Sequence, residues 1–421
     1  ISKSDGTHLA TLTSILGSPA VFRPTGNFKD FTRHPMDSKI KGAGIMLKSN
    51  GIFSVNIRNI ASDQLGTDVF IKGNASLTSL GNPGIGLAFR VGYYRDGPLP
   101  SELPVYSIMS LYNQTQVSIN GIVSFELQAG ESYLFRQPIG TLVEATKPCV
   151  MNTSAFLDAP GGCGDGTFDQ IPPVNSLGNR YFIVRTQGNG ISEQTTLVAT
   201  VDSTHLVVNR YNASGNFLTT SSHLIPKAGG FLTIANGDGT TPFSVAEINS
   251  NQSIAVFTGS AQSCEVDVSS SFPISSPCNG SNFIETSFFK AYRGNNLPYF
   301  CYILLEDANA EIDFNGTDIE SIVSKRRQIG TTNWYMINLN SSQVGNPQTI
   351  SISSAVKLYV AIIQIGGGFS MSATFSNLVD QPPVPNVLYI KHGQCPASNV
   401  LLTAGNGSRN YQWYLNGNAI A

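Results

Sequence analysis

The chain has 421 residues, a formal net charge of −2 and a sequence pI of about 6.2. Only 12% of its residues are charged, about half the share of an average soluble protein, while 41% are hydrophobic and 41 residues are glycine. The 25 basic residues are dispersed, which excludes the dense positive surface of a nucleic-acid-binding protein. No run of about 18 apolar residues is present to span a membrane as a helix.

Short strands are predicted along the whole chain. Apolar, β-branched segments recur roughly every 50 residues, and several of them alternate apolar and polar residues. The segments begin near Phe53, Val105, Cys149, Thr196, Ser253, Cys301 and Leu358. Such alternation predicts half-buried antiparallel strands. The sequence therefore predicts an all-β protein made of repeated antiparallel units.

A longer unit also repeats. An apolar strand, a polar hairpin and a glycine that leads into another strand recur three times, with Gly130, Gly229 and Gly330 at the same step about 100 residues apart. A spacing near 50 residues is typical of propeller blades, whereas a period near 100 with about seven strands is typical of tandem β-sandwiches. We expect a propeller-like arrangement, because the shorter spacing is visible, with tandem sandwiches as the alternative.

Four of the six cysteines form two pairs of equal spacing. Cys149 and Cys163 are 14 residues apart, as are Cys264 and Cys278, and no His or Cys-x-x-Cys suggests a metal site. We expect two local disulfides, each stabilising the fold by about 3 kcal/mol through closure of a loop of about 15 residues. Disulfides indicate an oxidising compartment. Cys301 lies inside an apolar run and is expected to be a buried, unreactive thiol.

Three parts are predicted along the chain. They are a repeated all-β domain at 1–376, with internal units at about 50–149, 150–264 and 265–376; a proline-rich linker at 377–388; and the start of an immunoglobulin-like module at 389–421. In the last part, Cys395 precedes a strand with Trp413, as such a module begins, and Asn416-Gly417 predicts a hairpin turn. We expect Cys395 to pair beyond residue 421 in a longer native chain, and the start at Ile1 without Met indicates a processed or trimmed product.

Several segments follow the pattern of a known family. The segment NQSIAVFTGSAQSC at 251–264 matches its apolar strand before a cysteine loop. Residues 170–174 and 178–181 match its Gln-x-Pro-Pro-Val and glycine-led strand, and residues 113–117 match its Asx-x-Thr-x-Val hairpin. These residues resemble the IgGFc-binding protein N-terminal domain family, as found in very large surface proteins of gliding Bacteroidota. The tail sequence QWYLNG resembles the Cys-Trp modules of adhesins from the same bacteria.

The resemblance covers about residues 40–375. It includes Cys163-Gly164-Asp165, with one residue between the cysteine and the aspartate, and it departs from the family at Cys278-Asn279-Gly280, which lacks the Asp and the Pro-Pro. The resemblance implies export through the type IX secretion system, display at the cell surface and adhesion. The family name records immunoglobulin binding by a mucosal animal relative, and no residue here carries that ligand over.

Candidate metal and catalytic residues are few. Asn236 to Gly239 and Asp165 to Asp169 offer oxygen atoms, but neither has the spacing of an EF-hand and turn chemistry explains both. Weak calcium binding is the ion interaction to test. Asp165 with Asp169, and Glu306 with Asp307, are the nearest approach to the acid pair of a glycosidase, and we expect neither to be catalytic.

Aromatic, histidine and basic residues are expected in structural roles. Tyr93, Tyr94, Trp334 and Trp413 could stack on sugars, although core packing or strand ends are the expected role. His205 is expected on a hairpin strand, at the surface or in packing. The densest basic run is 325–327, which we expect to be a solvated strand end or turn.

The sequence therefore predicts a non-enzymatic adhesin or binding module at the surface of a gliding bacterium, without a cofactor. Its expected partners are an extracellular glycan, surface or protein, together with the type IX secretion machinery. Two alternatives stay open. One is an accessory or catalytic domain of a secreted polysaccharide-degrading enzyme, and the other is a purely structural module or secretion partner.

Overall fold

The structure is a computed structural model that describes residues 1–24, 34–51, 53–60, 74–99, 102–158, 165–186, 188, 193–262, 265–274, 279–287, 299–323, 326–345, 347–366, 369–375, 413–415 and 418–420. Two compact units are present, Ile1–Leu378 and Val379–Ala421. In the described part of the chain, no helix is long and apolar enough to cross a membrane.

The strands of the large unit fall into an N-terminal group and three similar repeats. The N-terminal group contains β1 (Ser2–Lys3), β2 (Lys39–Lys41), β3 (Ile45–Met46), β4 (Asn56–Ile60) and β5 (Asn74–Thr78). The first repeat contains β6 (Gly86–Arg90), β7 (Val105–Ser110), β8 (Thr115–Ile119), β9 (Ile122–Leu127), β10 (Glu131–Arg136), β11 (Leu142–Asp158) and β12 (Asp165–Ile171).

The second and third repeats follow the same order of strands. The second contains β13 (Gly178–Val184), β14 (Gln194–Ala199), β15 (Thr204–Tyr211), β16 (Phe217–Ile225), β17 (Phe231–Ala235), β18 (Val245–Gln262) and β19 (Glu265–Ser270). The third contains β20 (Ser281–Ser287), β21 (Tyr299–Leu305), β22 (Ile312–Phe314), β23 (Thr317–Asp318), β24 (Arg327–Gln328), β25 (Tyr335–Leu339), the short helix α1 (Ser341–Val344), β26 (Thr349–Gly366) and β27 (Phe369–Phe375).

One long strand organises each repeat. β11, β18 and β26 have 17, 18 and 18 residues. β11 pairs antiparallel with β6, β7, β8 and β12. β18 pairs in the same way with β13, β14, β15 and β19, and β26 with β20, β21, β22 and β27. Because the set of partners changes along the long strand, each sheet curls around its own core.

The all-β prediction is confirmed, but the propeller-like arrangement is not found. The described residues form several antiparallel, curled half-barrel sheets, and no propeller is identified among them. The 50-residue rhythm arises because each repeat holds two apolar segments, for example those at Val105 and at Cys149, which are neighbouring strands of one sheet. The unit that repeats therefore has about 100 residues and seven shared strands, the period and strand number of the tandem-sandwich alternative.

Three glycines mark the repeat in space as well as in sequence. Gly130, Gly229 and Gly330 all have positive φ, at 76°, 81° and 57°. An added side chain would collide with a preceding part of the chain at each position, namely with the carbonyl of Ser4, the carbonyl of Gly140 and the ring of Tyr211, respectively. Glycine is thus required both by conformation and by close approach, and it lets each repeat contact the part of the chain before it.

Apolar clusters join the repeats. In β21, Cys301, Ile303 and Leu305 face the core of the third repeat, whereas Phe300 and Leu304 face a second cluster shared with the second repeat. Because side chains alternate along a strand, an apolar run such as 299–305 is buried on both faces. A comparable cluster joins the first repeat to the second.

Four short strands meet where the repeats converge. β5 contacts β12, β12 contacts β19, β19 contacts β27, and β27 contacts β5, so the N-terminal hairpin β4–β5 closes a ring that the three repeats begin. Arg58 of β4 fastens the closure by donating to the carbonyl of Ser287 at 3.0 Å and to the hydroxyl of Thr286 at 2.7 Å. β5 also contacts β19 across the ring, which shows that the centre is packed.

The small unit contains a hairpin in its described residues. β28 (Trp413–Leu415) pairs antiparallel with β29 (Asn418–Ile420). Leu415 lies opposite Asn418, in agreement with the predicted hairpin, whereas Asn416 and Gly417 lie outside the described residues.

Candidate functional site at the hairpin end

Three of the ring strands, β5, β12 and β19, run in the same direction. Ser76, early in β5, donates its N–H to Asp267, early in β19, at 3.0 Å. Leu80, just past β5, donates its N–H to Gln170, late in β12, at 2.8 Å. The end at which β11 turns into β12 and the end at which β18 turns into β19 therefore lie on one side of the scaffold. Loops at one end of a rigid β scaffold are a common site of binding, and we call this side the hairpin end. Its described residues include Arg95, Phe156, Asp158, Thr186 and Glu193.

In the first repeat, a buried acid anchors the hairpin end. Asp158 ends β11 and its side chain is fully buried. It forms an ion pair with Arg95 and accepts a hydrogen bond from Tyr93 Oη at 2.5 Å. Burial raises the pKa of Asp158, against the opposing effect of the two donors, and burial beside this acid raises the pKa of Tyr93. The loop after β6 is thereby fixed to the end of the long strand.

The second repeat has a comparable anchor made from other residues. Glu193 is completely buried and accepts hydrogen bonds from the N–H of Thr186 at 2.6 Å, from the Thr186 hydroxyl and from the N–H of Ala261. Arg185 lies 3.9 Å from the same carboxylate. Burial raises the pKa of Glu193, and these donors oppose the shift. The segment before β14 is thus fixed to the end of β18.

The first repeat also exposes an apolar surface at this end. Phe156 and Leu157, the last residues before Asp158, are 55% and 41% exposed. The guanidinium of Arg136 lies 6.0 Å from the centre of the Phe156 ring, and it is 3.6 Å from the carboxylate of Glu102. Leu103 is also exposed. An apolar surface with a stacked arginine beside it can contact sugar rings or protein side chains.

A further acid lies between the ring strands. Asp169 in β12 is buried and accepts the N–H of Ser270 from β19 at 2.6 Å. Burial raises the pKa of Asp169 to about 8, and the hydrogen bonds from the backbone of Ser270 and Gln170 lower it only partly. This carboxyl is therefore largely protonated at neutral pH and joins two repeats beneath the hairpin end.

The structure differs from the predicted disulfide at Cys149. Cys149 is a buried free thiol, so its predicted bond to Cys163 is not formed, and burial raises its pKa to about 12. Cys149 lies nine positions before the end of β11, which is about 30 Å of extended strand. The chain then returns through β12, whose first residue Asp165 pairs with Asp158. A disulfide requires Cα atoms within about 7 Å, so this hairpin keeps the first cysteine too far from the turn.

Equal spacing of the cysteines did not mean equivalent positions. Cys149 lies opposite Gly86 in its sheet, and the residue opposite the corresponding Gly178 in the second repeat is Ile254. Cys163, Cys264, Cys278 and Cys395 lie outside the described residues, and the pairing of Cys264 with Cys278 stays a prediction. Cys301 is buried as expected, and burial raises its pKa to about 12.

The oxygen-rich segments act as turns or buried contacts. Asp238 accepts the N–H groups of Thr240 and Thr241 at 2.8 and 2.6 Å; although burial opposes it, these bonds lower its pKa to about 2. Asp307 accepts the N–H of Asn309, and Glu306 accepts from Asn333. Among the described residues, no group of three or more His, Cys, Asp or Glu could hold a metal ion.

The predicted aromatic residues belong mainly to the core. Tyr93 and Tyr94 are fully buried and Trp334 is 3% exposed, so the expected packing role is confirmed for all three, whereas the side chain of Trp413 lies outside the described part. His205 is exposed on β15, in agreement with a surface role.

The basic run is less solvated than expected. Arg326 has a side chain that is 10% exposed and pairs with Glu320 at 2.6 Å. Arg327 donates to the carbonyl of Ala213 and to Asn338, and therefore links the third repeat to the second. Lys325 lies outside the described residues.

The anchoring residues were not identified from sequence. Arg95, Asp158, Arg185 and Glu193 are among the few charges in a weakly charged chain, and the contacts that join Asp158 to Tyr93 and Glu193 to Ala261 span 65 and 68 positions. The one available signal was the rarity of charge itself, because a charged residue next to a strand in such a chain often has a buried partner.

Comparison with known proteins supports a binding module. Residues 105–246 match the sequence model of the family described as IgGFc binding protein. The match begins at β7 and ends early in β18, so it includes Phe156, Asp158, Thr186 and Glu193 of the hairpin end but not Arg95. The search of curated proteins found no match.

Proposed function

We propose that the chain is a binding module that contacts an extracellular glycan, surface or protein through its hairpin end. The observation that carries the proposal is the exposed pair Phe156 and Leu157, held next to the ion pair between Arg95 and the buried Asp158. Similarity of residues 105–246 to a family named for binding supports it.

The anchors suit this role because they order the loops before a ligand arrives. A surface that is already rigid loses less conformational entropy on binding, which improves affinity. Asp158 and Glu193 each fix a loop to a long strand through at least two donors. Phe156 then contributes apolar area and Arg136 contributes a cation beside its ring, a combination suited to carbohydrate or to a protein surface.

We further propose that the module is displayed on the cell surface of a gliding bacterium after export by the type IX system, and that it acts in adhesion. The low charge and the resemblance to Bacteroidota surface proteins support this setting. Many such modules on one surface would bind with avidity, because linked weak contacts increase the effective concentration of each next contact. An immunoglobulin-like module after the proline-rich linker belongs to the same proposal.

A role without catalysis is also proposed. Asp158 and Glu193 at the hairpin end, and Asp169 beneath it, are buried and engaged with donors of the chain itself, so these three acids are not poised at the surface for general acid or base chemistry. The exposed acid described at this end, Glu102, lies 3.6 Å from Arg136. The alternative is that the chain serves a secreted polysaccharide-degrading enzyme, and a reducing-sugar assay on the same preparation distinguishes the two.

The test is a glycan array and an immobilised immunoglobulin Fc fragment, probed with the whole chain. We expect binding to at least one probe without release of reducing sugar. Replacing Phe156 and Leu157 by serine should weaken that binding at least tenfold. The matched control replaces Ile122 and Val123 by serine. These residues are 72% and 61% exposed and lie in a hairpin beside the start of β11. The control should leave binding unchanged. Turnover without binding would overturn the proposal.

A further inference from the structure

Among the residues that the structure describes, strand β16 is an open edge of the second repeat. It is the last strand in its sheet order and pairs with β15. Its nine residues contain no proline and no Lys, Arg, Asp or Glu. Natural edge strands are usually short, charged or interrupted, because unpaired N–H and C=O groups invite another strand. The one such device in β16 is a bulge near Phe217, where the register with β15 shifts.

Other strands at the ends of the three sheet orders carry more protection. β2 has lysine at both ends, β9 contains Glu126, and β23 and β24 have two residues each. β17 has five residues, and the carbonyl of its Ala235 accepts a hydrogen bond from Arg210 at 2.9 Å. Among these end strands, β16 is the longest and is uncharged.

The side chains of β16 are self-complementary. Leu218 and Leu224 are 49% and 55% exposed, and the residues between them are Thr219, Thr220, Ser221, Ser222 and His223. A two-fold axis at Ser221 would place Leu218 of one copy opposite Leu224 of the other, and Thr220 opposite Ser222. Apolar residues would then face apolar residues, hydroxyls would face hydroxyls, and no like charges would meet across the pair.

We propose that β16 pairs antiparallel with β16 of a second copy of this chain, about a two-fold axis at Ser221. The pairing would satisfy the open edge of both copies and continue the sheet of the second repeat from one chain to the other. This inference goes beyond the proposed function and does not depend on the hairpin end. An interface of one strand pair buries less than the 1,200–2,000 Å² or so of a stable complex, so the dimer should be weak and dependent on concentration.

The experiment is sedimentation velocity of the whole chain over concentrations from about 5 to 500 µM, a range suited to a small interface. The unaltered chain should shift from monomer to dimer. One double variant, Thr220→Lys with Ser222→Lys, places lysine opposite lysine across the axis. A second, Thr220→Glu with Ser222→Glu, places glutamate opposite glutamate. Each of these like-charge variants should weaken self-association at least tenfold. Thr220→Lys with Ser222→Glu places opposite charges together and should retain the dimer.

Two further samples make the result specific. Mixing the double-lysine chain with the double-glutamate chain should restore a dimer, because only then do opposite charges meet. Gln116→Lys with Ser124→Lys, at exposed positions of β8 and β9, is the matched control and should dimerise like the unaltered chain. A monomer at every concentration would overturn the proposal, even if the edge captured an unrelated extended peptide. So would a dimer that the like-charge variants leave intact.

Discussion

The first and second repeats fix the same end of the scaffold with different side chains. In the first, the acid is Asp158 on the long strand, and Arg95 reaches it from the loop after β6. In the second, the acid is Glu193 before β14, and the long strand contributes backbone groups of Ala261: its N–H donates to Glu193 and its carbonyl accepts from Thr186. The fold thus preserves the place of a buried charge without preserving the residue that carries it.

The two repeats also differ in what they expose. Ala155 and Ser260 occupy corresponding positions, because they pair with Thr167 and Asp267 in the matching hairpins. The next residue is Phe156 in the first repeat, which is 55% exposed, and Ala261 in the second, which is fully buried. The exposed apolar surface at the hairpin end therefore belongs to the first repeat, and we expect the first repeat to contribute more to binding than the second.

The largest effect on stability is expected from Glu193→Ala. The change leaves the N–H groups of Thr186 and Ala261 without their acceptor and removes the carboxylate next to Arg185, a loss of about 3–5 kcal/mol for a buried ionic contact. Urea denaturation measures it. Glu193→Gln keeps an acceptor and should cost less; equal losses for both variants would show that the charge, and not the hydrogen bonding, matters.

A smaller loss is expected from Asp158→Ala in the first repeat. Arg95 remains 23% exposed, so water can solvate its guanidinium after the acid is removed, and the loss should be about 2–3 kcal/mol. The same denaturation experiment gives the comparison between repeats. If Asp158→Ala destabilised the chain more than Glu193→Ala, the account of the two anchors would be wrong.

The pH dependence of stability distinguishes the ring strands of the two repeats. In the first repeat, Asp169 of β12 lies opposite Thr153 of β11. At the equivalent place in the second repeat, Ser269 of β19 lies opposite Thr258 of β18. Burial raises the pKa of Asp169 from 3.8 to about 8, so the folded chain retains a proton that the unfolded chain loses. The stabilisation of the folded chain by this retained proton is complete below pH 3.8, and it declines by about 1.4 kcal/mol per pH unit as the pH rises towards 8.

Asp169→Asn should remove that slope and keep an acceptor for Ser270. Denaturation midpoints between pH 5 and 8 provide the measurement, with Ser269→Asn as the control in the second repeat. A slope that persists in Asp169→Asn would assign the pH dependence to other groups.

The smallest effect on stability is expected from Phe156→Ser with Leu157→Ser. The two side chains are about half exposed, so the free energy of unfolding should fall by no more than about 1.5 kcal/mol. Thermal denaturation measures it, and a loss well above that value would show that the pair packs against the fold and does not form a free surface.

Sequence reasoning identified the local features and missed the long-range ones. The segments at Val105, Thr196 and Cys301 all fall in strands, because alternation and β-branched residues are local signals. Gly130 and its two equivalents were recognised because positive φ restricts the residue type at each turn. The strand segments and the glycine turns can both be recognised without any knowledge of which strands pair.

The sheet architecture and the anchors required pairing information. Propeller blades and curled half-barrels have similar strand lengths, and they differ in which strands meet on β11, β18 and β26. The cysteines at 149 and 163 suggested a local loop, but an uninterrupted strand runs from Leu142 to Asp158. Such a strand is recognised only when its four partners are known.

The most direct test of the central claim compares binding at the two ends of β11. Wild type, the Phe156→Ser and Leu157→Ser double variant, and the Ile122→Ser and Val123→Ser double variant are applied to the same glycan array and immobilised Fc fragment. We expect the first variant to lose at least tenfold in affinity for whichever probe the wild type binds, while the second variant keeps that affinity. The reverse pattern, with binding lost only in the second variant, would contradict a binding role for the hairpin end.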